Sequence, residues 1–227
     1  MSDLIVTIDG PAASGKSTVA RLLADKLDAS FLDTGAMYRA VTLAAMQAGV
    51  DLNDQRKLLE IVQKCKFQFS AEAGKTAVCI DNTDVTEQIR DPEVTSNARY
   101  IAGEPTVRAE LVRMQRQFAA ARQKIVTEGR DQGTVAFADA DVKFFLTADA
   151  GERARRRQAD LGGKDNDQSL EQIQKAIEER DRSDESRAVG PLKPADDAIV
   201  VDTTDLSIDQ VVEKLLALVK ERCSQSK

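Results

Sequence analysis

Residues 10–18 constrain this chain more than any other stretch. Gly10-Pro11-Ala12-Ala13-Ser14-Gly15-Lys16-Ser17-Thr18 matches G-x-x-x-x-G-K-[S/T], a phosphate-binding loop. The flanks suit it. Leu4-Ile5-Val6-Thr7-Ile8 is short, apolar and β-branched, as a buried strand is, and Val19-Ala20-Arg21-Leu22-Leu23-Ala24 continues at helical spacing. In a strand–loop–helix unit the loop N–H groups converge on phosphate oxygens, helped by the positive end of the helix. Glycine is needed where a side chain would fill the concavity. Lys16 can reach the β- and γ-phosphates, and the Ser17 hydroxyl can bind Mg²⁺. A nucleoside triphosphate site is therefore expected at residues 10–18.

Composition narrows the chemistry. A length of 227 residues suits one α/β domain, and a formal charge of −6 argues against a general nucleic-acid binder. The three cysteines, Cys65, Cys79 and Cys223, have no paired spacing and suit a reducing compartment. Asp3 and Asp9 bracket only a short apolar run, and no stretch approaches the ~20 apolar residues of a membrane span. A cytoplasmic protein without membrane or nucleic-acid partners is expected. There is no histidine, which removes Ser-His and Cys-His nucleophiles and histidine-bound metals. Phosphoryl transfer suits the carboxylates, Lys and Arg that remain, because it depends mainly on positioning and charge stabilisation.

Along the chain, strands are expected at 30–34, 124–128, 142–148 and 198–202, besides the first. Helices are expected at 35–47, 54–64, from about 93, from 105 to about 122, over 169–182, and after Ser207. Residues 66–70 and 76–80 alternate with period two around Ala73-Gly74, and Asn82-Thr83 gives a second turn before Val85, so a small antiparallel meander is expected. Phe67, Phe69, Phe144 and Phe145 read as core. The fold class predicted is a P-loop α/β fold: a five-stranded parallel sheet with helices on both faces, in a single domain over 1–227. Ligands of such sheets gather at the carboxyl ends of the strands. Those ends carry the phosphate loop, Asp33-Thr34, Glu128-Gly129-Arg130-Asp131 and Asp202.

The chain lacks the Asn-Lys-x-Asp segment of GTPases and the apolar run ending Asp-Glu of transport ATPases. It has instead a surplus of arginines: Arg39, Arg130, Arg180, Arg187 and the group from Arg153 to Arg157. A triphosphate facing an acceptor phosphate concentrates about six negative charges, which arginine forks neutralise. A hydrolase needs about one such cation.

Four segments together resemble the bacterial cytidylate (CMP) kinases, a family of P-loop nucleoside monophosphate kinases. They are Asp9-Gly10-Pro11 with Ser14-Gly15-Lys16-Ser17-Thr18; Asp33 to Arg39; Glu128-Gly129-Arg130-Asp131-x-Gly133-Thr134-Val135; and Arg180-Asp181-x-x-Asp184-x-x-Arg187 with Pro191-Leu192. The resemblance spans nearly the whole chain. It implies transfer of the γ-phosphoryl group of ATP to CMP or dCMP by a monomer using Mg²⁺. It implies that Gly10 to Thr18 hold ATP, with Lys16 on the phosphates and Ser17 on the metal. Arg39 and Arg130 would clamp the acceptor phosphate, with Arg187 near the transferred group, and Thr34 would also bind CMP. Tyr38, Arg180 and Asp184 would meet the sugar, and Arg108 and Asp131 the base. It also implies that 66–90 is a β insert of the monophosphate-binding lobe and that 151–165 is a mobile lid, with Arg153 and Arg157 closing over the phosphates. One departure stands out: Arg99 occupies a helix position where the family commonly has a small hydroxyl residue, with Ser96 one turn earlier. Glu128 and Asp33 each suit either a water-mediated Mg²⁺ partner or a structural strand-end carboxylate.

Overall fold

The computed structural model describes residues 4–72, 75–162 and 168–225. Five parallel strands form the main sheet: β1 (Leu4–Asp9), β2 (Ser30–Asp33), β6 (Lys124–Gly129), β7 (Val142–Thr147) and β8 (Ile199–Asp202). Their order across the sheet is β2-β6-β1-β7-β8. The phosphate-loop strand is central, with Val6 opposite Val126 on one side and Val142 on the other. A strand with helices over both faces has no solvent side, which is why Leu4, Ile5, Val6 and Ile8 show no polar-apolar alternation, and even Thr7 is buried.

The helices are α1 (Lys16–Leu27), α2 (Thr34–Gln47), α3 (Gln55–Lys64), α4 (Pro92–Gly103), α5 (Pro105–Ala120), α6 (Ala150–Asp160), α7 (Leu170–Glu185) and α8 (Ile208–Gln225). Local chemistry sets several starts. Asp33 accepts from Ala36 N to cap α2, proline opens both α4 and α5, and Ser169 with Gln172 forms a capping box on α7. One apolar cluster joins β1 and β7 to Val19 and Leu23 of α1 and to Val211, Val212 and Leu215 of α8. A second gathers Met37, Val41, Leu58 and Leu111 from α2, α3 and α5.

The meander is present as β3 (Phe67–Glu72), β4 (Lys75–Ile80) and a short β5 (Thr83–Asp84), paired antiparallel. Its apolar face rests on α2, where Val78 and Ile80 join Ala36, Ala40 and Leu43 in a third cluster. Phe67 and Phe69 stack on one face of β3 with ring centroids 6.5 Å apart. Of the four phenylalanines expected in the core, only Phe144 is fully buried. Phe145 points to the other side of β7, as strand alternation demands, and is half-buried.

Two local features differ from expectation. Residues 149–162, read as an arginine-rich stretch, are largely helical as α6, and the rest of the expected lid, 163–165, lies outside the described residues. After β6 the chain makes a single π-type turn at Gln132–Ala136, in which Ala136 N and Phe137 N donate to the Asp131 and Gln132 carbonyls.

Candidate active site

The phosphate loop joins β1 to α1. Gly15 caps α1 at φ +84, and a Cβ at Gly10 would run into the Leu146 carbonyl of β7, so both places demand glycine. Ala13 also has positive φ, at 58°. The Lys16 ammonium is buried and donates to the Pro11 carbonyl of its own loop at 3.2 Å. Ser17 Oγ donates to Glu128 Oε1 at 2.8 Å. Ser14 Oγ is buried without a hydrogen-bond partner among the described residues. A cradle with an orphan hydroxyl, and a lysine bonded only to a carbonyl, fits an anion carrying several oxygens.

Electrostatics agree. Burial, with Arg130 nearby, holds Lys16 down to about 7, against the pull of Glu128. Burial raises Glu128, opposed by Lys16. A phosphate would restore the lysine's proton. The Ser17–Glu128 pair is a set of hard oxygen donors beside the loop, as Mg²⁺ favours, and no cluster of three or more ligating side chains occurs among the described residues.

The outer wall of the loop is tied to α6 and α7. Ala12 N donates to Asp181 Oδ1 at 2.9 Å. Arg153 donates to the carbonyls of Ala12 (3.1 Å) and Ala148 (3.2 Å) and pairs with Asp181 in a buried contact. Arg153 is thus committed beneath the loop, whereas Arg157 is exposed and forms no ion pair among the described residues. Arg156 binds Thr203 through Oγ1 (3.0 Å) and the carbonyl (2.6 Å), joining α6 to the segment after β8. Sequence reading had no means to separate these three arginines. Only the burial of each one does so.

A second set of charges lies at the ends of β2 and β6. Asp184 of α7 accepts from Arg130 Nε at 2.7 Å and from Arg187 Nη2. Burial works to raise Asp184, but the two guanidiniums win and hold it below the usual carboxylate range. Arg180 sits among these groups; burial, with Arg130, Arg39 and Arg157 around it, holds it down to about 10. Arg39 meets Asp33 at 3.3 Å, and its buried Nε has no partner among the described residues. Thr34 Oγ1 donates to the Glu128 carbonyl at 2.7 Å, locking α2 to the end of β6. Asp33 therefore has a structural duty as helix cap and arginine partner.

Deeper in, Arg108 and Asp131 form a buried ion pair. Arg108 also donates to the Ala102 carbonyl at 3.0 Å, lies 5.6 Å from the Tyr38 ring centre, and leaves Nε without a partner among the described residues. Burial pushes the Tyr38 phenol up to about 12 and raises Asp131 despite Arg108. Gly190, at φ +61, lies so close over this pair that a Cβ would collide with both side chains. Arg99 is apart from this group and rests on Tyr100, its Nη2 3.2 Å from the phenol oxygen. The fold thus joins Tyr38, Arg108 and Asp131 in one group and Arg130, Asp184, Arg187 and Arg180 in another. Asp9 went without a role in the sequence reading. It is buried at the end of β1, where burial pushes it up to about 7 against the pull of two backbone N–H groups.

Residues 6–221 match the sequence model of the family described as Cytidylate kinase. A cytidylate kinase of Rhodopirellula baltica is 47% identical over 98% of this chain and 95% of its own length. One of Bacillus cereus is 44% identical over 94% and 95%. Among solved structures, an uncharacterized protein from Eubacterium ventriosum aligns at TM-score 0.53 with 14% identity, covering 97% of this chain and 99% of its own. A gluconokinase from Sinorhizobium meliloti aligns at 0.50, also with 14% identity, over 99% and 98%. These likenesses bear on the fold alone. The sequence match runs through the phosphate loop, the arginine clusters and the last helix, and the chain belongs to the cytidylate kinase family.

Proposed function

We propose that this chain transfers the γ-phosphoryl group of ATP to CMP or dCMP, giving ADP and CDP or dCDP. The observation that carries the reading is a second set of cations beyond Lys16: Arg130 and Arg187 on one carboxylate, Asp184, with Arg39 and Arg180 close by. Joining two phosphates requires such a set; hydrolysis does not. The description shared by the relatives supports the same acceptor.

Residues 10–18 hold the ATP phosphates through backbone N–H groups and Lys16, which exchanges its bond to the Pro11 carbonyl for phosphate oxygens. Arg39, Arg130 and Arg187 take the acceptor phosphate, with the Thr34 hydroxyl beside them. Asp184, released from its guanidiniums, accepts from the ribose hydroxyls, with Arg180 and Tyr38 near the sugar. Arg108 and Asp131 face the base. Ser17 and Glu128 would hold Mg²⁺, which supplies charge neutralisation on the β- and γ-oxygens. No general base is required, because the attacking oxygen belongs to a phosphate already ionised at neutral pH. The protein lowers the barrier by alignment and by fixed positive charge. Residues 66–90 belong to the acceptor lobe, and 151–165 act as a lid in which Arg157 closes toward the phosphates while Arg153 braces the loop. The enzyme works as a cytoplasmic monomer; no helix among the described residues is long and apolar enough to cross a membrane.

The test is ADP formation in a coupled assay with CMP, dCMP, UMP and AMP as acceptors. Turnover with CMP and dCMP well above that with UMP and AMP is expected. ADP release that ignores the acceptor would overturn the proposal.

A further inference from the structure

The two substrate halves of the site meet at a side chain that neither half uses. Asp9 ends β1, the residue before the phosphate loop begins. Its carboxylate reaches across to the turn that follows β6: Oδ1 accepts from Gln132 N at 2.9 Å and Oδ2 from Gly133 N at 2.8 Å. These N–H groups open the Gln132–Ala136 turn, so no turn carbonyl precedes them to accept their bonds. A cap normally comes from the residue before the turn; here that residue, Asp131, gives its side chain to Arg108. Asp9 supplies the cap from the neighbouring strand. A carboxylate suits the place because it presents two acceptors at once and its charge meets the positive end of the turn.

The turn is held at other points as well. Thr127 Oγ1 donates to Gln132 Oε1 at 2.9 Å, and Arg116 Nε donates to the Ala136 carbonyl at 2.8 Å. Those ties hold the Gln132 side chain and the far end of the turn. Asp9 alone grips the two N–H groups directly after Arg130 and Asp131, and so fixes the direction in which those side chains leave the sheet. We infer that Asp9 is a positioning residue for the acceptor: from the donor strand it sets the orientation of Arg130 and Asp131 toward the monophosphate. This rests on the proposed CMP kinase reading.

The experiment uses the full chain carrying Asp9→Asn. The amide keeps one acceptor but sets an NH₂ group against the other backbone N–H. The expected result is a KM for CMP raised at least tenfold, with the Kd for ATP measured without acceptor within twofold of wild type. Combined with Asp131→Asn, the effect on CMP should be clearly less than additive, because both act through the same pair of side chains. Should Asp9→Asn not fold, Asp9→Ser, smaller and keeping one acceptor, is expected to show the same split. Equal losses toward ATP and CMP, or full additivity with Asp131→Asn, would overturn the inference and leave Asp9 as a part of the phosphate loop's own scaffold. Failure of the underlying reading looks different: the wild-type chain itself would not phosphorylate CMP.

Discussion

Replacing Asp131 by Asn tests how the site distinguishes cytosine from uracil. The pairing edge of cytosine offers an N4 amino donor beside the N3 and O2 acceptors; uracil offers an O4 acceptor and an N3–H donor. Asp131 supplies an acceptor and Arg108 donors, including an Nε with no partner among the described residues, and both side chains are almost fully buried. Against uracil the carboxylate faces a carbonyl and the guanidinium faces an N–H. Buried polar groups left unpaired cost ~1–3 kcal/mol each. Two such mismatches near the middle of that range give ~4 kcal/mol, or about 10³-fold in kcat/KM. Asp131→Asn adds a donor that can meet O4 and loses the charge-assisted bond to N4. CMP activity should fall about 10- to 100-fold, and the CMP:UMP ratio should narrow by at least tenfold. The assay is kcat/KM for both acceptors at saturating ATP, beside a thermal melt, because weakening a buried ion pair also costs stability. If the folded variant keeps the wild-type ratio, Asp131 does not read the base.

Other consequences are checked more briefly. Lys16→Met should fold yet lose nearly all turnover, since it removes the buried charge but keeps helix propensity; turnover within about tenfold of wild type, a barrier change of only ~1.4 kcal/mol, would refute its catalytic role. With Lys16 held to about 7 in the free site against 10.5 unfolded, the folded state binds fewer protons across that window; its stability advantage is present above 10.5 and is lost as pH falls through about 7. ATP should reverse that shift, so binding at pH 8 should take up protons; calorimetry in buffers of different ionisation enthalpy would refute this by giving equal heats. Asp181→Ala strips the buried Arg153 of its partner and orphans Ala12 N, so a loss of ~3–5 kcal/mol is expected in urea unfolding, and less than ~1 kcal/mol would refute the bracing role.

The phosphate loop, the five strands and most helix starts were legible because they depend on local periodicity, caps and proline, all written in neighbouring residues. The order β2-β6-β1-β7-β8 was not, since side-chain alternation says nothing about which strand lies beside which. The same limit applies at the site. That residues such as Arg130 and Asp184 belong to one site came from resemblance; that Asp184 bonds Arg130 and Arg187 together is visible only in space, 54 positions from Arg130. Arg153 and Arg157 look alike in sequence, and one turn of α6 sends the first under the loop and the second to solvent. Phe145 was misjudged by treating β7 as uniformly buried. The π-type turn and the reach of Asp9 have no signature, because a cap supplied by another strand follows no spacing rule.

The central position of β1 also governs how the chain is made. Its neighbours in the sheet are residues 124–129 and 142–147, so β1 has no sheet partner until the chain has been translated at least to residues 124–129. At about 5–20 residues per second, the interval from residue 9 to residue 147 is roughly 7 to 28 s. Until β6 is made both edges of this apolar strand are bare, and until β7 is made one still is, and the contacts that cover it are among the more distant in sequence. A nascent chain arrested before residue 124 carries the whole phosphate-loop motif and neither of the strands that flank it in the sheet.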